Sequence, residues 1–201
     1  MKRIGIFAGT FDPVHKGHIT FALKAAESAE LDRVYFLPEP LPRAKQGVTH
    51  MSHRLAMLRL ATRAHQKLEV LELPDKQFNI VQTWPRLKRR FPDDKLLLLV
   101  GSDVFEGMYG WPYVDLLFKD AGVVVGTRSG RDIAHALQNL VALNQILWET
   151  HMVETSHPEA SSRLIRSALA QGQDTDMVLA SVCRYISHNW LYVDIRTLVS
   201  K

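Results

Sequence analysis

Short apolar runs alternate along this chain with longer stretches in which apolar residues recur at helical spacing. The apolar runs predict strands at Arg3–Phe7, Arg33–Leu37, Leu68–Leu71, Lys95–Val100, Gly122–Thr127 and Ile146–Trp148. The periodic stretches predict helices at Lys16–Ala29, Ser52–His65, Pro85–Arg90, Tyr113–Lys119, Asp132–Leu143, Ser162–Ala170 and Asp176–Ser187. Because short apolar strands separated by helices favour a parallel sheet covered on both faces, the pattern predicts a doubly wound, mostly parallel, Rossmann-like α/β fold.

Two segments rich in proline, glycine and polar residues, Pro38–Thr49 and Leu73–Thr83, predict loops. In a doubly wound sheet such loops lie over the carboxyl ends of the strands, where ligands bind. Thr83 is placed to cap the next helix, with Pro85 in its first turn. We therefore expect these loops to contribute to a ligand site.

Length and composition fit a single domain over residues 1–201. The chain is 46% hydrophobic and 23% charged, as in ordinary globular proteins. One cysteine, Cys183, cannot form an internal disulfide, which is typical of a reducing cytoplasm. No long apolar stretch follows Lys2 and Arg3, and the apolar runs are too short to cross a membrane. We therefore expect a cytoplasmic protein with no membrane partner.

The formal net charge of +4 suits partners that carry phosphate groups. The densest basic cluster consists of Arg86, Lys88, Arg89 and Arg90. Such a cluster is typical of a solvated helix face, and no aromatic residues interleave with it to stack on bases. The charge therefore points to nucleotide phosphates, and we expect no nucleic-acid partner.

The decapeptide from Gly9 to His18 carries the strongest chemical signal, because it joins a predicted strand to a predicted helix. A helix N-terminus offers unpaired N–H groups and a positive dipole end to an anion. Gly9 permits a positive φ and lets the backbone approach a phosphate closely. His15 and His18 are three residues apart, hence on one helix face, and Gly17 leaves space beside them. The segment predicts that two imidazoles and several amides converge on one anionic group.

These ten residues, GTFDPVHKGH, resemble the H-x-G-H signature of the nucleotidyltransferase superfamily, and more narrowly that of nicotinate-mononucleotide adenylyltransferases. The segment Ala160–Arg166 resembles the I-S-S-T-x-I-R block of the same family, but Ala160 and Arg163 depart from it. The resemblance implies catalytic roles for His15, His18 and Arg166. It implies ATP binding by Gly9, Thr10, Phe11, Gly17, Lys45, Ser161 and Ser162.

The residues that would recognise the acceptor match this family less well. The resemblance implies acceptor contacts from Asn79, Thr83, Asp103, Trp111 and Arg128, with the Asp103 carboxylate suited to a ribose hydroxyl and an aromatic ring suited to stacking on a heterocycle. The family's S-Y-T-x-x-T segment survives only at Thr83, since Asn79 and Ile80 replace its tyrosine and its middle threonine. The family's P-P-H-[KR] loop keeps its basic residue as Lys45 but has Ala44 in place of histidine.

The resemblance implies transfer of AMP from ATP to nicotinate mononucleotide, with release of pyrophosphate, in NAD biosynthesis. Mg²⁺ is expected to bind with ATP, held mostly by phosphates and water, and no metal site made only of protein groups is expected. Transfer to a different phosphorylated acceptor remains open, as does a catalytically weak nucleotide-binding homologue. A fragment of a tRNA-charging enzyme is disfavoured, because no K-M-S-K-S-like segment is present. The sequence leaves open both a homo-oligomer and the choice between acid and amide mononucleotides.

Overall fold

The structure, a computed structural model, describes residues 1–42, 47–127, 149–157 and 159–193. The described residues form one sheet of six parallel strands in the order β3-β2-β1-β4-β5-β6. These strands are β1 Arg3–Gly9, β2 Arg33–Pro38, β3 Leu68–Val70, β4 Lys95–Gly101, β5 Ala121–Thr127 and β6 Thr150–Glu154. The strand order reverses between β1 and β4, which opens a crevice at their carboxyl ends.

Helices cover both faces of the sheet, so the predicted doubly wound fold is confirmed. They are α1 Lys16–Ser28, α2 Met51–Thr62, α3 Thr83–Arg90, α4 Ser102–Gly107, α5 Val114–Asp120, α6 Ser162–Ala170 and α7 Ala180–His188, with a 3₁₀ turn at Met108–Gly110. No helix in the described ranges is long and apolar enough to span a membrane.

The two faces of the sheet build two apolar layers, because successive strand side chains point to opposite sides. In β1, Ile4 and Ile6 pack with α3, α4 and α5, whereas Phe7 packs with α1, α2, α6 and α7. Every residue of β5 is buried. This burial on both faces explains why the central strands read as unbroken apolar runs.

The structure contains a strand and a short helix that the sequence did not predict. The sixth strand was predicted at Ile146–Trp148, which lies outside the described residues, as does the predicted helix Asp132–Leu143. The observed β6 is an edge strand with Val153 as its one fully buried residue, so it lacks an apolar run. The short helix α4 was not predicted, since six residues are too few to show a period.

The last helix begins at Ala180, four residues later than its apolar pattern suggested. The carbonyl of Met177 accepts a hydrogen bond of 2.8 Å from the backbone N–H of Lys16, the first residue of α1. The chain before α7 is therefore tied to the start of α1 and does not continue the helix.

An ionic cluster lies at the amino ends of the central strands, opposite the crevice, where Arg3 and Lys95 begin β1 and β4. The Glu149 carboxylate pairs with Arg3, with Lys95 at 2.8 Å and with His151 at 2.7 Å. Burial by itself would raise the pKa of Glu149, but hydrogen bonds from Lys95, Arg3 and His151 outweigh it and lower the pKa to about 2. The cluster therefore fastens the start of β6 to the two central strands.

Candidate active site

Two adjoining cavities open in the crevice at the carboxyl ends of β1 and β4. The larger, of about 550 Å³, contains both histidines of the decapeptide, and we name it the histidine cavity. The smaller, of about 400 Å³, contains Trp111, and we name it the tryptophan cavity. Both are lined by Ala8, Gly9, Thr10 and Val104, so the end of β1 forms the border between them.

The two histidines lie at the first turn of α1 with their rings stacked. His15 is the N-cap and is buried, and its ring centroid lies 3.7 Å from that of His18 at an interplanar angle of 31°. The backbone N–H of His15 donates to Nδ1 of His18 over 3.2 Å. Because Nδ1 accepts this bond, the neutral His18 ring carries its proton on Nε2. His18 is thus prepared to donate a hydrogen bond to an anion in the cavity.

Two glycines allow the close packing around these rings. A Cβ on Gly17 would lie 3.1 Å from Cε1 of His15 and 3.2 Å from Cβ of Ala160, the residue just before the α6 cap. A Cβ on Gly9 would lie 3.0 Å from the Phe11 ring. Gly9 does not use the positive φ that a glycine permits, and the positive φ in this loop, of 51°, occurs at Phe11. Gly9 is required instead to make room for that ring.

The start of α6 is fastened to the loop between β1 and α1. Nη1 of Arg166 donates to the carbonyl of Asp12 over 2.6 Å, and the Ser162 hydroxyl donates to the carbonyl of Pro13 over 2.9 Å. Ser161 is the N-cap of α6, but its hydroxyl makes no capping bond and lines the histidine cavity. Arg163 also lines this cavity, although it is exposed. The Gly9–His18 and Ala160–Arg166 segments, about 150 residues apart in the chain, therefore form one wall of the histidine cavity.

Asp12 is a buried anchor whose role the sequence reading did not identify. Its side chain is 2% exposed, Oδ2 accepts the backbone N–H of Thr49 over 3.2 Å, and Oδ1 accepts the hydroxyl of Tyr192 over 2.7 Å. Burial, together with the Asp12 charge and hydrogen bond, raises the pKa of Tyr192 well above its ordinary value. Asp12 thus joins the motif loop to the loop after β2 and to the segment that follows α7.

Arg54 is a second anchor that the sequence reading missed. This arginine in α2 is 1% exposed, and its guanidinium donates to four backbone carbonyls in the crevice loops. The acceptors are Thr49 at 2.8 Å, Thr10 at 2.8 Å, Glu39 at 2.9 Å and Pro40 at 3.2 Å. Its position among Met57, Leu58 and Ala61 on the buried face of α2 is a signal that could have revealed it.

The tryptophan cavity has aromatic walls and few polar groups. The rings of Trp111 and Phe78 lie 6.5 Å apart between centroids, at an interplanar angle of 45°. Asn79 lines this cavity as predicted, and its Oδ1 accepts the backbone N–H groups of Val81 at 2.8 Å and Gln82 at 3.2 Å. The Asn79 side chain thereby closes the turn that precedes α3.

Four residues that were expected to bind a ligand are placed differently from the expectation or lie outside the described residues. Thr83 is fully buried and lines neither cavity, and its Oγ1 accepts the backbone N–H of Asn79 over 3.0 Å. This internal hydrogen bond takes the place of both the expected acceptor contact and the expected capping role. Asp103 lines the histidine cavity and not the tryptophan cavity where the acceptor was expected. Lys45 and Arg128 lie outside the described residues.

Comparisons with known proteins show the family of this chain. Residues 6–168 match the family model described as cytidylyltransferase-like. The nicotinate-nucleotide adenylyltransferase of Bacillus subtilis is 32% identical over 201 residues, covering 96% of this chain and 99% of the relative. A probable nicotinate-nucleotide adenylyltransferase of Shewanella sp. MR-7 is 34% identical over 210 residues, covering 94% of this chain and 99% of the relative.

The fold is shared with a solved structure at low sequence identity. The nicotinic acid mononucleotide adenylyltransferase of Plasmodium falciparum, solved with NaAD, superposes with a TM-score of 0.79 at 17% identity, covering 96% of this chain and 98% of that one. The family-model match and the full-length relatives together show that the chain belongs to the cytidylyltransferase-like family and, within it, to the nicotinate-nucleotide adenylyltransferases.

Proposed function

We propose that this protein transfers the adenylyl group of ATP to nicotinate mononucleotide and releases pyrophosphate. The observation that carries this proposal is the pair of adjoining cavities at the strand-order reversal. One presents His15, His18 and Arg166 beside the N-terminus of α1, which suits a polyphosphate, and the other presents Trp111, which suits a heterocycle. The relatives' names supply the identity of the two substrates.

The chemistry requires alignment and charge neutralisation more than covalent help. A phosphate oxygen of the acceptor attacks the α-phosphorus of ATP, the bond to the β-phosphate oxygen breaks, and pyrophosphate leaves. The attacking phosphate is already ionised near neutral pH, so no general base is required. Nε2–H of His18 and the guanidinium of Arg166 donate to phosphate oxygens, where negative charge is concentrated.

Thr10 and Gly9 lie at the border of the two cavities, where the two substrates would meet. The backbone of this border is held by Arg54, which donates to the carbonyl of Thr10. Ser161 offers a hydroxyl on the same wall as Arg166. These contacts would orient the reacting groups, and holding them in line supplies a large part of such a rate acceleration.

Mg²⁺ fits this site only as a companion of ATP. In the described part of the chain, no group of three histidine, cysteine, aspartate or glutamate side chains is arranged to hold a metal ion. Both carboxylate oxygens of Asp12 already accept protein hydrogen bonds. When ATP binds, Mg²⁺ would be held mostly by the nucleotide phosphates and water, and it would neutralise part of the phosphate charge.

A different phosphorylated acceptor is the second candidate. It is favoured by one observation: at the positions of the family's tyrosine and threonine this chain has Asn79, whose side chain is bonded to the turn before α3, and Ile80, which is buried in the core. We place either activity in the cytoplasm, because the single cysteine cannot form an internal disulfide.

The test is pyrophosphate release from ATP and Mg²⁺ with a panel of phosphorylated acceptors. The panel contains the acid and amide pyridine mononucleotides, phosphopantetheine and several sugar phosphates. We expect release with nicotinate mononucleotide and none with phosphopantetheine. Release only with an acceptor outside the pyridine series would move the assignment to the second candidate, and no release with any acceptor would favour a binding protein.

A further inference from the structure

The segment after α7 turns back into the molecule and brings one hydroxyl to a residue that lines the histidine cavity. Trp190 and Tyr192 in this segment have positive φ values of 50° and 64°, which are uncommon for residues other than glycine. The Tyr192 ring packs against the apolar layer that contains Phe7 and Phe11, and its hydroxyl donates to Oδ1 of Asp12 over 2.7 Å. A residue stays in this backbone region where the surrounding contacts hold it, so the fold specifies the position of this hydroxyl.

Asp12 connects this hydroxyl to Arg166. The Asp12 carboxylate accepts the Tyr192 hydroxyl through Oδ1 and the backbone N–H of Thr49 through Oδ2. The same Oδ2 lies 4.0 Å from Nη1 of Arg166, and that nitrogen donates to the backbone carbonyl of Asp12 over 2.6 Å. Asp12 and Arg166 both line the histidine cavity. The two hydrogen bonds to the carboxylate therefore fix where its charge lies relative to the guanidinium.

The charges along this chain of contacts act on one another. Burial raises the pKa of Tyr192 well above its ordinary value, and the Asp12 charge adds to this rise while the Arg166 charge opposes it. The Tyr192 hydroxyl therefore keeps its proton and remains a donor to Asp12. The Arg166 side chain is 37% exposed, and in the described part of the chain its contacts are made through Nη1, which leaves Nε and Nη2 to serve a ligand.

An arginine that serves a reacting phosphate must present its donors in a fixed direction, because alignment supplies a large part of the rate acceleration. We propose that Tyr192, acting through Asp12, positions the Arg166 guanidinium for the phosphates of ATP, so that the segment after α7 belongs to the active site. Without the Tyr192 hydroxyl, Oδ1 of Asp12 loses a buried partner, and the carboxylate turns toward Arg166 and draws the guanidinium away from the ligand. Tyr192 is thus a positioning residue. This inference rests on the proposed function, because it concerns the arginine that binds phosphate in that reaction.

The experiment is a double-mutant cycle on kcat/KM for ATP, with Tyr192→Phe and Arg166→Ala as the two changes. Tyr192→Phe keeps the packed ring and removes the hydroxyl, and we expect kcat/KM for ATP to fall about fivefold, which is less than the loss from Arg166→Ala. The KM for nicotinate mononucleotide stays unchanged, because Tyr192 does not line the tryptophan cavity. In the Arg166→Ala background, Tyr192→Phe lowers kcat/KM by less than about twofold, because no guanidinium is left to misplace. Tyr185→Phe is the matched control, since it removes a hydroxyl bonded to His53 over 2.9 Å and leaves kcat/KM unchanged.

A merely structural role would lower kcat/KM by the same factor with or without Arg166. Equal losses in the two backgrounds, or a Tyr192→Phe value within about twofold of the Tyr185→Phe value, therefore overturn the inference while the proposed function stands. If Tyr192→Phe does not fold, Asp12→Asn takes its place in the cycle with the same expected pattern, because it keeps an oxygen for the Thr49 N–H and the backbone carbonyl for Arg166.

If the wild-type protein transfers no adenylyl group to any acceptor, the proposed function fails, and the same cycle is measured on the Kd for ATP by calorimetric titration. Weaker ATP binding with Tyr192→Phe that disappears in the Arg166→Ala background supports the inference. Equal weakening in both backgrounds, no weakening, or no binding of ATP by the wild-type protein overturns it.

Discussion

Replacing Arg54 by methionine tests how the crevice loops are held together. Methionine keeps most of the length and apolar stem of arginine but supplies none of its donors, so the carbonyls of Thr10, Thr49, Glu39 and Pro40 lose a buried partner. A hydrogen bond to a charged group contributes about 1.5–3 kcal/mol, and an unsatisfied buried acceptor costs about 1–3 kcal/mol. Relief of the buried charge opposes this loss, since burial lowers the pKa of Arg54. We expect the free energy of unfolding to fall by about 4 kcal/mol.

Urea unfolding followed by circular dichroism measures this change. Arg59→Met, in the same helix, is the matched control, because Arg59 is 62% exposed and its pair with Glu72 lies at the surface. We expect the control to lose less than about 1 kcal/mol. Arg54→Lys keeps the charge and part of the donor set, so it falls between the two and remains informative if Arg54→Met does not fold. A loss for Arg54→Met no greater than for Arg59→Met would refute the reasoning.

His18→Ala removes a hydrogen-bond donor to the reacting phosphate, so kcat in a steady-state pyrophosphate assay should fall by about 10²–10³, with a smaller change in ATP affinity. Full turnover of this variant would exclude His18 as a donor to the reacting phosphate. Arg166→Ala should lower kcat/KM for ATP about tenfold or more, and Arg163→Ala should lower it much less because Arg163 is exposed. Equal, negligible effects of the two changes would show that this segment is only a capped helix with no role in ATP binding. The folded-state pKa of Glu149 lies below its ordinary 4.5, so its contribution is present above pH 4.5 and lost as pH falls toward 2. Near neutral pH the free energy of unfolding of wild type should exceed that of Glu149→Gln by about 3 kcal/mol, and this difference should shrink as the pH falls from 4.5 toward 2. Urea unfolding at a series of acidic pH values measures the difference, and a difference that stays constant would contradict the ion pairs of Glu149.

The sequence was sufficient for the fold and for the centre of the histidine cavity, because both depend on local patterns. Unbroken apolar runs identify strands buried on both faces, and the spacing of His15 and His18 at a helix start places them together. The edge strand β6 was not predicted, because only one of its residues is buried and it therefore lacks an apolar run.

Spacing could have placed Arg54 on the buried face of α2, but the hydrogen-bond partners of Asp12 and Arg54 could not be derived from the sequence, since they lie far away in the chain. Asp12 meets Tyr192 across 180 residues, and Arg54 meets Thr10 across 44. Thr83 was misassigned for the opposite reason, because a hydroxyl that matches a family position is used here inside the fold. Long-range hydrogen bonds thus decide which polar residues face the ligand.

Transfer of isotopic label from the α-phosphate of ATP tests the central claim most directly. Wild-type protein, ATP labelled at the α-phosphorus, Mg²⁺ and nicotinate mononucleotide are incubated, and the products are separated by chromatography. The account predicts that the label appears in a dinucleotide, with one pyrophosphate released for each dinucleotide formed, and that His18→Ala slows both at least about a hundredfold. Label that remains in ATP or appears only as free AMP, with no labelled dinucleotide, would contradict it.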